Sequence, residues 1–242
     1  FITIAFFSVV MLFFVTPFTW FYVHCGKMTE KKKWNLHLLM YHAARMVTRH
    51  IGIPGIHFSF RKDPSIDFDQ PSVIICNHQS HLDLAYLLSL TPRLVFLTND
   101  WVWNDPFYGF LIRHAEYYPA SQGINNLIPK FRSLVERGYS IAIFPEGTRS
   151  CDSRIGSFHK GAFYVAGELG IGIVPMMLYG TGRALRKRTH LLKKSPVYLE
   201  VGKPFTYEQL QNIGDVRAQT KYFHHLYLSR FAELSNKIER NV

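Results

Sequence analysis

The chain has 242 residues, enough to bury one good-sized core, and a formal net charge of +11. Such a charge suits anionic lipid or an acidic carrier protein. With no nucleic-acid motif, aromatic-basic repeat or zinc-spaced Cys/His set, neither a nucleic-acid partner nor a metal is expected. The three cysteines, Cys25, Cys76 and Cys151, are odd in number and unpatterned, which points to free thiols in a reducing compartment.

The sequence opens on Phe1 in the middle of an apolar run, as a piece excised from a longer chain would. Residues 1–23 carry no charge and are long enough to cross a bilayer core of about 30 Å. No basic stretch precedes them and no small-x-small site follows, so a signal peptide is a poor fit. Pro17 with Phe18, Trp20, Phe21 and Tyr22 suggests a kinked, interface-seeking end. Lys27, Lys31, Lys32 and Lys33 follow and place this end in the cytoplasm. A buried core helix, a re-entrant helix and an in-plane helix remain open. We assign residues 1–24 to a membrane-inserted segment, 25–50 to a basic interfacial helix and 51–242 to a folded domain. In residues 31–50 a helical stripe runs through Trp34, Leu38, Tyr41, Arg45 and Val47. It suits either lipid headgroups or packing on the domain.

Beyond residue 57 the pattern alternates. Strands are predicted at 57–60, 73–76, 93–97, 140–144, 171–178 and 197–201, and helices at 81–90, 107–114, 125–137, 160–169 and 216–238. The alternation predicts an α/β fold: a largely parallel sheet flanked by helices, preceded by the N-terminal membrane helix. The basic run Arg183, Arg186, Lys187 and Arg188, with Lys193 and Lys194, reads as a solvated loop or a lipid-facing patch.

Two apolar strands end in polar loops, where α/β proteins build sites. The first leads into Asn77-His78-Gln79-Ser80-His81-Leu82-Asp83, the second into Pro145-Glu146-Gly147-Thr148-Arg149-Ser150. His78 with Asp83 is the candidate general base and its carboxylate partner. This requires His78 in the loop before a helix and Asp83 in the helix's first turn. The plainer alternative makes Ser80 an N-cap and Asp83 the other half of a capping box. His81 is the rival base. A serine nucleophile lacks its elbow, since Ser140 precedes its strand rather than capping it. Cys76 lies in a buried run; Cys151, beside the second loop, is less easily set aside. Gly147 permits close backbone approach, and Arg149 can hold a phosphate or carboxylate, or pair with Glu146.

Together, N-H-x-S-x-x-D, F-P-E-G-T-R-S, Phe158-His159-Lys160-Gly161-Ala162-Phe163 and Ile173-Val174-Pro175-Met176-Met177 resemble the glycerolipid acyltransferase superfamily, which contains the lysophosphatidic acid acyltransferases. The resemblance spans roughly residues 50–205. It implies acyl transfer from acyl-CoA or acyl carrier protein to a glycerolipid hydroxyl, by default that of 1-acylglycerol 3-phosphate. It implies no cofactor, catalysis by His78 and Asp83, and acceptor binding by Glu146, Gly147, Thr148, Arg149 and Lys160. Val174 and Pro175 would wall an acyl tunnel. The family also carries Gly-x-I-F-I-x-Arg, whose Arg contacts the acceptor phosphate. Here Ala115-Glu116-Tyr117-Tyr118-Pro119-Ala120-Ser121 stands in that place, with Ser121 for the Arg. An acceptor without phosphate, and an inactive lipid-binding domain of a larger membrane protein, are the alternatives.

Overall fold

The computed structural model describes residues 16–239 except 51, 52, 54, 107 and 190. Helix α1 (Thr16–His24) turns back at Cys25 and Gly26 into α2 (Glu30–Arg45), which widens into a π turn (Met46–His50). There follow β1 (Ile56–Lys62), β2 (Val73–Cys76), α3 (Leu82–Leu88), β3 (Leu94–Thr98), α4 (Asp100–Trp103), α5 (Tyr108–His114) and β4 (Tyr118–Pro119). A 3-10 turn (Ala120–Gln122) leads to α6 (Ile124–Glu136), β5 (Ser140–Ile143), α7 (Gly161–Leu169), β6 (Ile173–Tyr179) and α8 (Thr181–Ala184). The chain then runs through β7 (Ser195–Val201), α9 (Tyr207–Ile213) and α10 (Val216–Glu239).

The strands form one sheet in the order β1-β7-β6-β2-β5-β3-β4. Every pairing is parallel except β6 with β7. Every residue of β2, β5 and β6 is buried, as expected where helices cover both faces of a parallel sheet. Their continuous apolar runs follow from that burial. Because β6, β2 and β5 are neighbours and point the same way, their carboxyl ends deliver three loops to one edge. Tyr227 of α10 pins this region from one face. Its buried hydroxyl donates to the carbonyls of Ile75 (2.8 Å) and Met176 (2.9 Å) and accepts from the Met176 N–H (3.1 Å).

The predicted α/β architecture is present, with element ends shifted by a residue or two. Among the described residues no helix is long and apolar enough to cross a membrane. The first fifteen residues of the expected span lie outside the described residues. The remainder is α1, in which Phe18 and Phe21 are each 63% exposed and Trp20 is 54% exposed.

The buried stripe of α2 differs from the one anticipated: it is Leu36, His37, Met40 and Ala44. The helix is fastened to the domain by charge as well as packing. Lys33 Nζ lies 3.1 Å from Glu116, and Arg137 forks onto the same carboxylate at 2.8 and 3.0 Å. Burial pushes His37 down to about 4, so its imidazole is neutral where it packs beside Tyr139 and Tyr117. Val174 and Pro175, expected along an acyl tunnel, are interior positions of β6 paired with Ile74 and Ile75.

Candidate active site

The β2 loop presents His78 and the first turn of α3 presents Asp83, as the dyad requires. His78 Nδ1 lies 2.8 Å from Asp83 Oδ2. The same oxygen accepts the backbone N–H groups of Gln79 (2.7 Å) and Ser80 (2.8 Å). Asp83 is fully buried, whereas the His78 side chain keeps 12% of its surface. A carboxylate bonded to Nδ1 fixes the tautomer that leaves Nε2 as the basic nitrogen. Nε2 has no hydrogen bond to any described residue. The ring stacks on Phe144, with centroids 3.9 Å apart, so its plane is held from the side.

Part of the capping alternative coexists with the dyad: the Asp83 carboxylate accepts the Ser80 N–H as the acidic half of a capping box does. His81 occupies the N-cap position, and the Ser80 hydroxyl, while accepting the Leu82 N–H at 3.3 Å, donates to the Leu185 carbonyl. His81 is exposed and meets Trp101 edge-on, at 5.6 Å between centroids.

Neighbouring loops brace the β2 loop on both sides. Asn77 bridges to β6, donating to the Leu178 carbonyl and accepting its N–H, both at 2.8 Å. Gln79 Nε2 donates to the Ser153 carbonyl (2.9 Å). On the β5 side, the Ser150 N–H donates to the His78 carbonyl (2.8 Å). Glu146 is nearly buried, and its carboxylate accepts the His78 N–H on one oxygen and the Gly156 N–H on the other, each at 2.9 Å. The two acceptor contacts leave Glu146 as the tie between loops instead of the partner of Arg149.

Arg149 is half-buried, and its guanidinium makes no hydrogen bond or ion pair with another described residue. Burial lowers its pKa while the negative charge of Asp83 opposes that shift. It is a partly desolvated cation beside the dyad, suited to an anionic ligand. Gly147 has φ +66°, and a Cβ there would come within 3.2 Å of the His159 ring, so the turn needs glycine. Thr148 is exposed and accepts from Lys187 Nζ (3.1 Å), which also donates to the Arg149 carbonyl (2.8 Å). Lys160 sits exposed at the N-cap of α7, and no interaction among the described residues joins it to His78 or Arg149.

Sequence reasoning missed Lys187, taken as part of a solvated run. A loop lysine whose partners lie 38 and 39 residues away carries no periodic signal. It also gave no role to Asn77 and Gln79, although both stand inside the quoted block. Of the other candidate nucleophiles, Cys151 is a free and exposed thiol, whereas Cys76 and Ser140 are buried. Cys76 is fully buried, and burial raises its thiol well above the usual range. Ser140 is buried at the start of β5, accepting the Ser72 N–H at 3.1 Å. Ser121 is exposed, and its hydroxyl pairs with the Asp100 carboxylate.

Burial pushes Glu146 from 4.5 up to about 7, against the opposing pull of its two backbone N–H bonds. Between those values the folded chain holds more protons than the unfolded chain. The stability supplied by this group is therefore complete below 4.5 and lost as pH rises through about 7. Thermal unfolding of the wild type and Glu146→Gln at about pH 5 and about pH 8 checks this. The wild type should lose ground to the variant at the higher pH; an unchanged difference would exclude the buried acid.

A family model described as Acyltransferase matches residues 57–179. A chloroplast 1-acyl-sn-glycerol-3-phosphate acyltransferase of Arabidopsis thaliana is 37% identical over 121 residues, covering 48% of this chain and 34% of the plant protein. A 1-acyl-sn-glycerol-3-phosphate acyltransferase of Cocos nucifera is 28% identical over 169 residues, covering 67% of this chain and 54% of its own length. The alignments thus span about a third to a half of these relatives. The crystal structure of the 1-acyl-sn-glycerophosphate acyltransferase PlsC of Thermotoga maritima superposes with a TM-score of 0.72 over 96% of this chain and 92% of that one. At 20% identity it shows a shared fold. With the family model spanning both site loops and the central strands, the chain belongs to the Acyltransferase family.

Proposed function

We propose that this chain is a membrane-associated O-acyltransferase of phospholipid synthesis. It moves an acyl group from acyl-CoA or acyl carrier protein to the free hydroxyl of 1-acylglycerol 3-phosphate, giving phosphatidic acid. The observation that carries this reading is the 2.8 Å contact between His78 Nδ1 and the buried Asp83 carboxylate, with Nε2 left for a substrate. The named activity of the relatives supports the choice of acceptor.

The chemistry follows from the geometry. Nε2 of His78 takes the acceptor's hydroxyl proton as that oxygen attacks the thioester carbonyl. Asp83 stabilises the imidazolium that forms. The tetrahedral intermediate then collapses, the C–S bond breaks, and the leaving thiolate takes the proton from His78. A thioester is already activated, so no covalent enzyme intermediate is required, in keeping with the buried Cys76 thiol. Arg149 supplies a positive charge for the acceptor phosphate, and Gly147 and Thr148 shape the turn that carries it. Glu146 acts through the backbone, holding the two loops together. A phosphate-free acceptor is the second reading, favoured by the pairing of Ser121 with Asp100 at the position where the family places a cation.

Membrane association is supported by the three exposed aromatics of α1 and by the lysines that follow it. Aromatic rings favour the headgroup level and lysines favour the cytoplasmic leaflet, so the catalytic domain lies on the cytoplasmic side. Vesicles containing anionic lipid should retain the chain in high salt. Complete release by salt alone would contradict an inserted segment.

Labelled acyl thioester offered with 1-acylglycerol 3-phosphate or monoacylglycerol tests the reaction. His78→Ala should lower transfer by about 10²–10⁴-fold, with a much milder effect from His81→Ala. Arg149→Ala should lower kcat/KM for the phosphorylated acceptor by about 10–150-fold and spare the neutral one. A dead His81 variant beside an active His78 variant would overturn the base assignment. Equal losses on both acceptors would remove the phosphate contact.

A further inference from the structure

A cavity of about 280 Å³ opens beside the β2 loop, between the carboxyl end of β6 and α10, and its wall includes Arg154, Arg183 and Arg186. One acid, Asp152, accompanies these three cations. That carboxylate is already occupied by its own loop, accepting the Ser150 hydroxyl (2.9 Å) and the Arg154 N–H (3.1 Å), with Arg154 Nε 3.7 Å away. Arg183 lies over the Tyr179 ring, 5.2 Å from its centre. The Arg186 guanidinium has no hydrogen bond or ion pair with another described residue. The cavity therefore keeps a positive balance.

A second observation concerns Gln79, which also lines this cavity and is 1% exposed. Its Nε2 is committed to the Ser153 carbonyl, while its buried Oε1 has no partner among the described residues. An amide carbonyl accepts; it would be satisfied by a hydroxyl. Guanidinium groups match phosphate oxygens in forked pairs.

We propose that this cavity is a phosphate subsite, for a phosphate ester that also carries a free hydroxyl. Gln79 adjoins His78, so the ligand held here is one of the reacting substrates rather than a distant effector. Arg149, three residues before Asp152 on the same loop, is not among the residues that line this cavity. Two substrates of the proposed reaction have this chemistry: the glycerol phosphate end of the acceptor and the phosphorylated ribose end of CoA. The choice between them rests on the acyl-transfer reading, whereas binding of a phosphate ester does not depend on turnover.

Calorimetry on the full chain with glycerol 3-phosphate, CoA and dephospho-CoA makes the test, comparing wild type with the Arg154→Met/Arg186→Met double variant. Both arginines are exposed, so the fold should persist, and the thermal midpoint verifies it. Loss of affinity by about tenfold or more is expected for at least one ligand. If glycerol 3-phosphate is the sensitive ligand, the cavity holds the acceptor headgroup. If CoA is sensitive it holds the donor's nucleotide end, and dephospho-CoA tells whether the 3′-phosphate makes the contact. Unchanged affinities for all three, or no binding of any to the wild type, would overturn the subsite. Arginine-dependent binding by a wild type that transfers no acyl group would keep the subsite and sink the reaction. Normal transfer with unchanged affinities would do the reverse.

Discussion

One buried oxygen, Asp83 Oδ2, sets the geometry of the site. It gathers three donors: the imidazole of His78 and the backbone N–H groups of Gln79 and Ser80. A fully buried carboxylate is costly unless its charge is met by hydrogen bonds; the loop around it supplies three to Oδ2, while Oδ1 has no partner among the described residues. The consequence runs in both directions. The carboxylate orders the loop, and the ordered loop fixes which ring nitrogen is left without a partner among the described residues. Moving any of the three donors would leave a buried charge short of partners, so the arrangement is held as a unit.

The sheet makes that unit rigid. Strands β6, β2 and β5 end side by side, and the loops that follow β6 and β5 bond to the β2 loop that carries His78. Asn77 ties the β2 loop to β6 through both polar groups of Leu178, and Glu146 ties it to the β5 loop through backbone N–H groups. Tyr227 binds α10 to the same two strands from behind. These are contacts between buried polar groups in a low-dielectric setting, where an unmet partner costs about 1–3 kcal/mol. Side chains held this way reach a transition state without reorganising, as acyl transfer requires.

Much of this was legible in the sequence. The central strands are short apolar runs flanked by loops, and only a sheet covered on both faces explains them. The spacing of His78 and Asp83 also fixed one geometry, because the pair can meet only if the loop and the first helical turn divide it. Other features follow rules that a single sequence does not expose. Helix α2 is apolar on more than one side, so Trp34–Leu38–Tyr41 and Leu36–Met40–Ala44 fit a helical period equally well; tertiary packing chose the second. Helices α4 and α8 are one turn long and show no period, and β4 contains Pro119 and spans two residues. Helix α9 carried a readable capping box, Thr206 with Gln209, that was passed over because its apolar face is a single buried leucine. Arg149 and Glu146 looked like a natural ion pair by proximity in sequence. Two backbone N–H groups took the carboxylate instead, leaving the guanidinium for a ligand.

The central claim is that Asp83 serves chemistry through His78 and does more than hold a loop. Turnover per folded molecule of Asp83→Asn, with the folded fraction taken from thermal unfolding, tests it most directly. The amide keeps the shape but loses the negative charge that stabilises an imidazolium. Turnover should fall by about two to four orders of magnitude in molecules that remain folded. A variant that is less stable yet turns over nearly as fast per folded molecule as the wild type would contradict the account.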